Sequence, residues 1–304
     1  MNRPQHMTKE IQGAELNISA VITTFCRPQW LGEAIASVLS QSRPVQETLV
    51  VDAGTSEETK AVVASFGTAV RYLQMPDRGL AASRNYGIQH ANGDWVAFLD
   101  DDDRWLPDKI KLQEQAAERS PDAVLVYTSQ QMLFPDGTVA TARALTPERL
   151  WPGLRIKNSI PPSAVMVQKE ALSACGGFNE KLRNCEDWDL WVRLAKDHRF
   201  AVVLEPVTGY RISNGQMSTN IDLMLSNTEQ ILDSSLLLGL NGVSRAMWRR
   251  RIRASQLFSA AILARDAGSP DSLAFVRRSL REWPAPAFQP ERYWFLLRQW
   301  MKLN

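Results

Sequence analysis

From Asn17 onward, short apolar runs rich in β-branched residues alternate with segments of helical period, and no other feature of this sequence constrains its fold as strongly. NISAVITT reads as a strand, and PQWLGEAIASVLSQ follows it with Leu31, Ile35, Val38 and Leu39 on one helical face. ETLVVD, EETKAVVASF, VRYLQ, GLAASRNYGIQHA and DWVAFLD continue the alternation. Strands separated by helices need crossover connections, which predict a mostly parallel sheet covered by helices on both faces. The expected class is α/β.

Beyond DWVAFLD, LPDKIKLQEQAAER reads as a helix opened by Pro107, with Leu106 at the capping position, and FPDGT as a hairpin turn. SAVMVQ reads as a strand and EDWDLWVRLAK as a helix. We therefore expect a loose polar lead over residues 1–16, one α/β unit over 17–220 and a helical C-terminal extension over 221–304. The extension carries leucine-rich helical patterns, the basic stretch SRAMWRRRIRAS and the aromatic tail RYWFLLRQW.

Charge and composition exclude several classes. Lys+Arg number 35 against 33 Asp+Glu, a formal net charge of +2, so the chain lacks the field of a general nucleic-acid binder. Cys26, Cys175 and Cys185 are too few and too irregular for a disulfide framework, and His6, His90 and His198 form no zinc pattern with them. No apolar run approaches the length that spans a bilayer, and no charged start leads into an apolar segment of signal type. The expectation is a soluble, cytoplasmic protein. A local basic face on the C-terminal helices, Arg245, Arg249, Arg250, Arg251 and Arg253, is either a solvated surface or a peripheral contact with an anionic membrane.

In open α/β sheets ligands bind beyond the carboxyl ends of the strands. Those ends carry Thr23 and Thr24, then Asp52, then the run Asp100 to Asp103 in AFLDDDDRWLPDK. Four successive carboxylates repel one another unless a cation or hydrogen-bonded partners compensate. With no His or Cys cluster, the compensating cation would be a hard one, Mg²⁺ or Mn²⁺ carrying substrate phosphates; a solvated acidic turn is the alternative. A second acidic group, Glu186, Asp187 and Asp189 in CEDWDLWVRLAK, opens a helix, where such residues are favoured by the helix dipole or serve as a general base. Asp189, about 200° around the helix from Asp187, is expected to point away from it. Arg78, Arg84 and Asn85 in RGLAASRN suit a phosphate or a solvated helix end, while Trp188 and Trp191 read as core.

Together these segments resemble the family 2 glycosyltransferases. AVITTFCRPQWLGEAIASVLSQ, TLVVDAGTSEET, RGLAASRNYGIQHANGDWVAFLDDDDRWLPDKI, GGFNEKLRNCEDWDLWVRLA and TGYRISNGQMS occur in that family's order and spacing. The resemblance implies a GT-A fold, a Rossmann-like, mostly parallel sheet flanked by helices, and an inverting transfer of sugar from a nucleotide diphosphate carrier to a glycan or lipid-linked acceptor. By position it implies that Thr24, Asp52, Arg84 and Asp101 hold the donor, that Asp102 binds a Mn²⁺ or Mg²⁺ ion, and that Asp187 is the catalytic base. The chain departs from the pattern twice. The resemblance favours a UDP-sugar as donor, less securely because Ala53 stands where a second acidic residue usually recognises the nucleotide base, and Ser213 stands where a histidine often follows the Tyr-Arg pair. These departures keep a second hypothesis open, a degenerate relative that binds nucleotide sugar or a partner without turnover. A metal-dependent phosphoryl or nucleotidyl transferase would explain the aspartates but leave CEDWDLW without a role.

Overall fold

The structure, a computed structural model, describes residues 15–213, 220–237, 239–285 and 289–303. Of the expected N-terminal lead only Glu15 and Leu16 fall among them, and residues 214–219, within and just after the motif TGYRISNGQMS, lie outside. Strands β1 (Ile18–Thr24), β2 (Glu47–Asp52), β3 (Arg71–Gln74) and β4 (Trp95–Asp100) pair in parallel in the order β3-β2-β1-β4. Their connections run through α1 (Pro28–Leu39), α2 (Glu57–Ala64) and α3 (Leu80–His90), as the alternation predicts.

Period-two alternation decides which residue faces which layer. On β1, Ile18, Ala20 and Ile22 join the core beneath α1, whereas Val21 joins the core on the opposite face. Helix α1 buries Leu31, Ala34, Ile35 and Val38, and each fully buried Leu, Ile or Val contributes roughly 1.5–3 kcal/mol. Leu39, expected on the same face, is 40% exposed at the helix end. Helix α3 lies close to β1 because Gly87 faces it: a Cβ there would meet Val21 Cγ1 at 2.4 Å.

The second half of the sheet is not parallel throughout. β8 (Val165–Gln168) runs antiparallel between β4 and β6 (Ala123–Leu133), and β6 in turn pairs in parallel with β9 (Arg199–Arg211). β7 (Val139–Ala142) forms the expected hairpin with β6, its turn held by Thr138 N donating to Asp136 Oδ1 at 2.9 Å. A two-residue strand, β5 (Arg104–Trp105), pairs with β9. That pairing corrects one boundary. Leu106 N donates to Val207 O at 2.9 Å, drawing residues 104–106 onto the sheet, so α4 (Lys109–Arg119) starts after Asp108 and not at Pro107.

Three shorter or later helices complete this half: α5 (Pro147–Leu154), α6 (Lys169–Ala174) and α7 (Glu186–Asp197). Trp188 and Trp191 of α7 are buried, their indole N–H groups donating to Leu154 O at 2.5 Å and Ile160 O at 2.9 Å, so both serve the core. The region after residue 220 is helical: α8 (Ile221–Ile231), a π-helical turn (Leu232–Leu236), α9 (Gly242–Asp266), α10 (Ser272–Glu282) and α11 (Glu291–Leu303). Ile231, Leu232, Leu236, Leu237 and Ile252 share one core with Leu190 and Trp191, which fastens the extension to α7.

The basic stretch on α9 is largely committed within the protein. Arg245 and Arg249 both pair with Asp233 at 2.5 Å, Arg253 with Glu229 at 2.6 Å, and Arg251 lies over the Trp248 ring at 4.9 Å. The charge left for a membrane surface is correspondingly smaller than the sequence suggests. Among the described residues no helix is long and apolar enough to cross a membrane.

Candidate active site

A cleft of about 560 Å³ opens at the carboxyl ends of β1, β2 and β4. Thr23 and Thr24 come to it from β1, Ala53 from the end of β2, Ser83 and Arg84 from α3, Asp100, Asp101 and Asp102 from β4 and its following turn, and Glu186 and Asp187 from the first turn of α7. Tyr210 and Ser213 also line it.

Arg84 is the hinge of the arrangement. Ala81, Ala82 and Ser83 are small and buried, which lets α3 settle on the sheet and carry Arg84, itself 2% exposed, beneath the cleft floor. Its guanidinium donates to Asp100 Oδ1 at 2.7 Å and to Glu186 Oε1 at 2.6 Å, so one buried cation joins the acidic turn after β4 to the start of α7. Its neighbours do other work: Arg78 pairs with Glu180, and Asn85 holds Phe178 O at 2.9 Å.

The four aspartates have four different environments. Asp100 faces Arg84, and Asp101 accepts from Thr24 Oγ1 at 2.7 Å. Asp102 accepts from Arg27 Nη1 at 2.7 Å, with Arg27 Nε 3.4 Å from Asp101. Asp103 turns out of the cleft and accepts from Arg211 N at 2.9 Å. Burial pushes the Asp101 carboxyl up to about 7, against the opposing pull of Arg27 and Thr24. Asp102 and Asp103 are raised for the same first reason, reinforced by the Asp100 charge.

These raised carboxyls have a stability consequence. A carboxyl held above its ordinary 3.8 in the folded protein favours the protonated fold, so the stability it contributes is complete below 3.8 and is lost as pH rises through about 7. The melting midpoint without ligand should therefore fall between about pH 4 and pH 7, with Asp101→Asn flattening the slope. A midpoint that climbs over that interval, or an unchanged slope in the variant, contradicts the assignment.

Asp187 is half-buried in the cleft wall, its Oδ2 accepting from Asn158 Nδ2 at 2.8 Å and its Oδ1 from Trp188 N at 2.7 Å. Burial first, and then the neighbouring Glu186, raise its carboxyl well above the ordinary range; Arg84 opposes them. Cys185 just before it has a left-handed backbone, φ 65°, which turns the chain sharply into α7. Asp189 points away, buried and paired with Arg193 at 2.8 Å.

Asp52 does not present its carboxylate to the cleft. It is fully buried, with Oδ1 accepting from Gly54 N and Oδ2 from Tyr72 OH, both at 2.7 Å, and Ala53 is the residue β2 contributes to the wall. Arg27 and Asn158 enter the site without having been singled out in the sequence, and Glu186, noted there only within the acidic helix start, enters as the partner of Arg84. For Arg27 the one available signal is its position just before Pro28 at a helix start; for Asn158 there is none.

Among the described residues no three His, Cys, Asp or Glu side chains converge as a ready metal cage. Asp102 nevertheless offers a hard carboxylate oxygen to the cleft, and Mg²⁺ or Mn²⁺ is commonly held by one or two carboxylates plus substrate phosphates. The donor set therefore fits a cation completed by a phosphate ligand.

Residues 19–161 match the family model described as glycosyl transferase family 2. An uncharacterized glycosyltransferase of Rickettsia felis is 27% identical over 212 residues, covering 66% of this chain and 34% of the relative. The match thus spans about a third of the length of this relative and of a second one from Rickettsia conorii. A putative teichuronic acid biosynthesis glycosyltransferase of Bacillus subtilis strain 168 is 29% identical over 211 residues, covering 67% of this chain and 82% of the relative. Among solved structures, S. aureus TarS 1–349 in complex with UDP-GlcNAc superposes with a TM-score of 0.64 at 13% identity, covering 88% of this chain and 81% of that one. The mannosyltransferase PcManGT from Pyrobaculum calidifontis, in complex with GDP-Man and Mn²⁺, gives 0.59 at 16% identity, covering 93% and 84%. With this sheet order, these sequence motifs and those matches, residues 19–161 are similar to glycosyl transferase family 2, and the chain has the GT-A fold.

Proposed function

We propose that this protein is an inverting glycosyltransferase that moves a sugar from a nucleoside diphosphate to a hydroxyl of a glycan or lipid-linked acceptor in surface polysaccharide synthesis. The observation that carries the reading is the pairing of two acidic walls across one cleft, Asp101–Asp102 beyond β4 and Asp187 at the start of α7, locked together by Arg84. The teichuronic acid relative supports the class of product, and the nucleotide-sugar complexes of the structural neighbours support the class of donor.

In this reading Thr24, Arg84 and Asp101 shape the donor side of the cleft. Asp187 accepts the proton of the acceptor hydroxyl while that oxygen bonds to the anomeric carbon. The bond from that carbon to the diphosphate breaks, and its electron pair leaves on the diphosphate oxygen. A raised carboxyl suits the base, because a proton acceptor works best when its affinity lies near the operating pH. A divalent cation held by Asp102 would neutralise charge on the leaving diphosphate. Asp52 acts indirectly, by holding Tyr72 and the Gly54 turn that place Ala53 in the wall.

Ala53 makes the nucleotide the open variable, so the test is a panel of UDP- and GDP-sugars read by thermal stabilisation with and without Mn²⁺ or Mg²⁺. One nucleotide class should raise the midpoint in a metal-dependent way and be slowly hydrolysed. Binding without any hydrolysis or transfer would favour the degenerate, non-catalytic relative, and no stabilisation by any member would overturn the donor assignment. Asp102→Asn should remove the metal-dependent part of the shift and lower turnover by at least ~10²-fold, since a charge contact to the cation is lost. Unchanged metal dependence would take Asp102 out of the site.

A further inference from the structure

Two arginines neutralise the acidic turn after β4, and they are built differently. Arg84 is sealed under the cleft floor at 2% exposure and bound to carboxylates on both sides. Arg27 stands at the cleft edge with its side chain 41% exposed, and its guanidinium reaches Asp102 at 2.7 Å and Asp101 at 3.4 Å. Its backbone, by contrast, is held. Cys26 before it is left-handed, φ 53°, and packs so tightly on the β2 turn that a Cβ on Gly54 would lie 2.7 Å from Cys26 Sγ; Pro28 after it opens α1. A fixed base with an exposed, flexible arm is what an exchangeable contact requires.

Arg27 also occupies the carboxylates that a divalent cation would need. A guanidinium and a metal ion cannot both take the Asp102 oxygen at bonding distance, so the two cations compete for it. Arg27 itself lines the cleft, so a guanidinium displaced from Asp102 would still lie in it, where its planar donor fork matches a phosphate.

We propose that Arg27 is a positioning residue that serves as the resident counter-ion of Asp101 and Asp102, yields Asp102 to the divalent cation, and turns its guanidinium onto the donor diphosphate. This rests on the reading of the cleft as a nucleoside diphosphate site. Arg27 thereby couples the two binding events. The metal is opposed while the cleft is empty, and the diphosphate removes the opposition by giving the guanidinium another anion.

The coupling predicts opposite changes from one substitution. In Arg27→Gln, Mn²⁺ binding without nucleotide, read by the free Mn²⁺ paramagnetic resonance signal, should tighten about tenfold because its competitor is gone. UDP or GDP binding without metal, read by calorimetry, should weaken about tenfold because a charge-assisted phosphate contact is lost. Arg27→Lys keeps the charge without the fork, so its Mn²⁺ affinity should stay near the parent's while nucleotide binding falls part of the way. A residue that merely supported the loop would shift both affinities downward in Arg27→Gln. That outcome, or two unchanged affinities, overturns the proposal. If the parent itself binds neither UDP nor GDP, the nucleotide reading fails before any variant is compared, and the hand-over to diphosphate fails with it.

Discussion

With Asp187 as the proposed base, Asp187→Asn should lower turnover by about 10²- to 10⁴-fold, the range for losing a positioned general base, while donor and metal affinity should remain near the parent's. The amide keeps the shape of the side chain and can still face Asn158, so the cleft wall survives while the proton acceptor does not. The proposed role predicts a second signature of the same group in the parent protein. Burial and Glu186 hold the Asp187 carboxyl above the ordinary carboxylate range, and only its ionised form can take a proton. The acidic limb of kcat against pH should consequently lie well above the usual carboxylate region and vanish in the variant's residual activity. Donor affinity by calorimetry and transfer rate by product release separate the outcomes. A parental rate, or donor binding lost in step with rate, removes Asp187 as the base. Asp189→Asn is a stability control and no more, because Asp189 is buried against Arg193, which in turn holds Cys175 O and Gly177 O.

Arg84→Met should destabilise the protein by about 3–5 kcal/mol, the cost of leaving buried charges without their partner. Asp100 and Glu186 both lose their counter-ion in this variant, and Glu186 is itself buried. Arg84→Lys should recover only part of the loss, since one ammonium cannot reproduce two directed contacts on opposite sides. Denaturant unfolding of the three proteins measures the effect. A methionine variant within about 1 kcal/mol of the parent would mean that the two carboxylates find protons or water at little cost, and that Arg84 is not what joins the two walls.

The residues show how far local pattern reaches. Strands β1 to β4 and helices α1 to α3 were legible because side-chain periods of 2 and 3.6 are written along the chain itself, and because Gly, Pro and Asp punctuate the ends. The family's motif order also pointed to the acidic turn after β4 and to the start of α7. The antiparallel insertion of β8 between β4 and β6 was not legible, since an apolar run such as VMVQ pairs equally well with either neighbour until the rest of the core excludes one. The start of α4 was misplaced for a related reason: a bond to Val207, far along the chain, outweighed Pro107 as a helix opener.

The partners of the site residues were decided only by tertiary structure. Arg84 meets Glu186 across 102 positions and Asp102 meets Arg27 across 75, separations at which no spacing rule operates. The same folding turned Asp52 inward onto Tyr72 and left Asp101 facing Thr24. Sequence alone could say that carboxylates gather at the strand ends, because a strand's end and a helix's first turn are local facts. Which of those carboxylates stays ionised, which is raised and which faces the cleft depends on burial and on counter-ions supplied by other elements, and those exist only once the sheet and α7 have closed around Arg84.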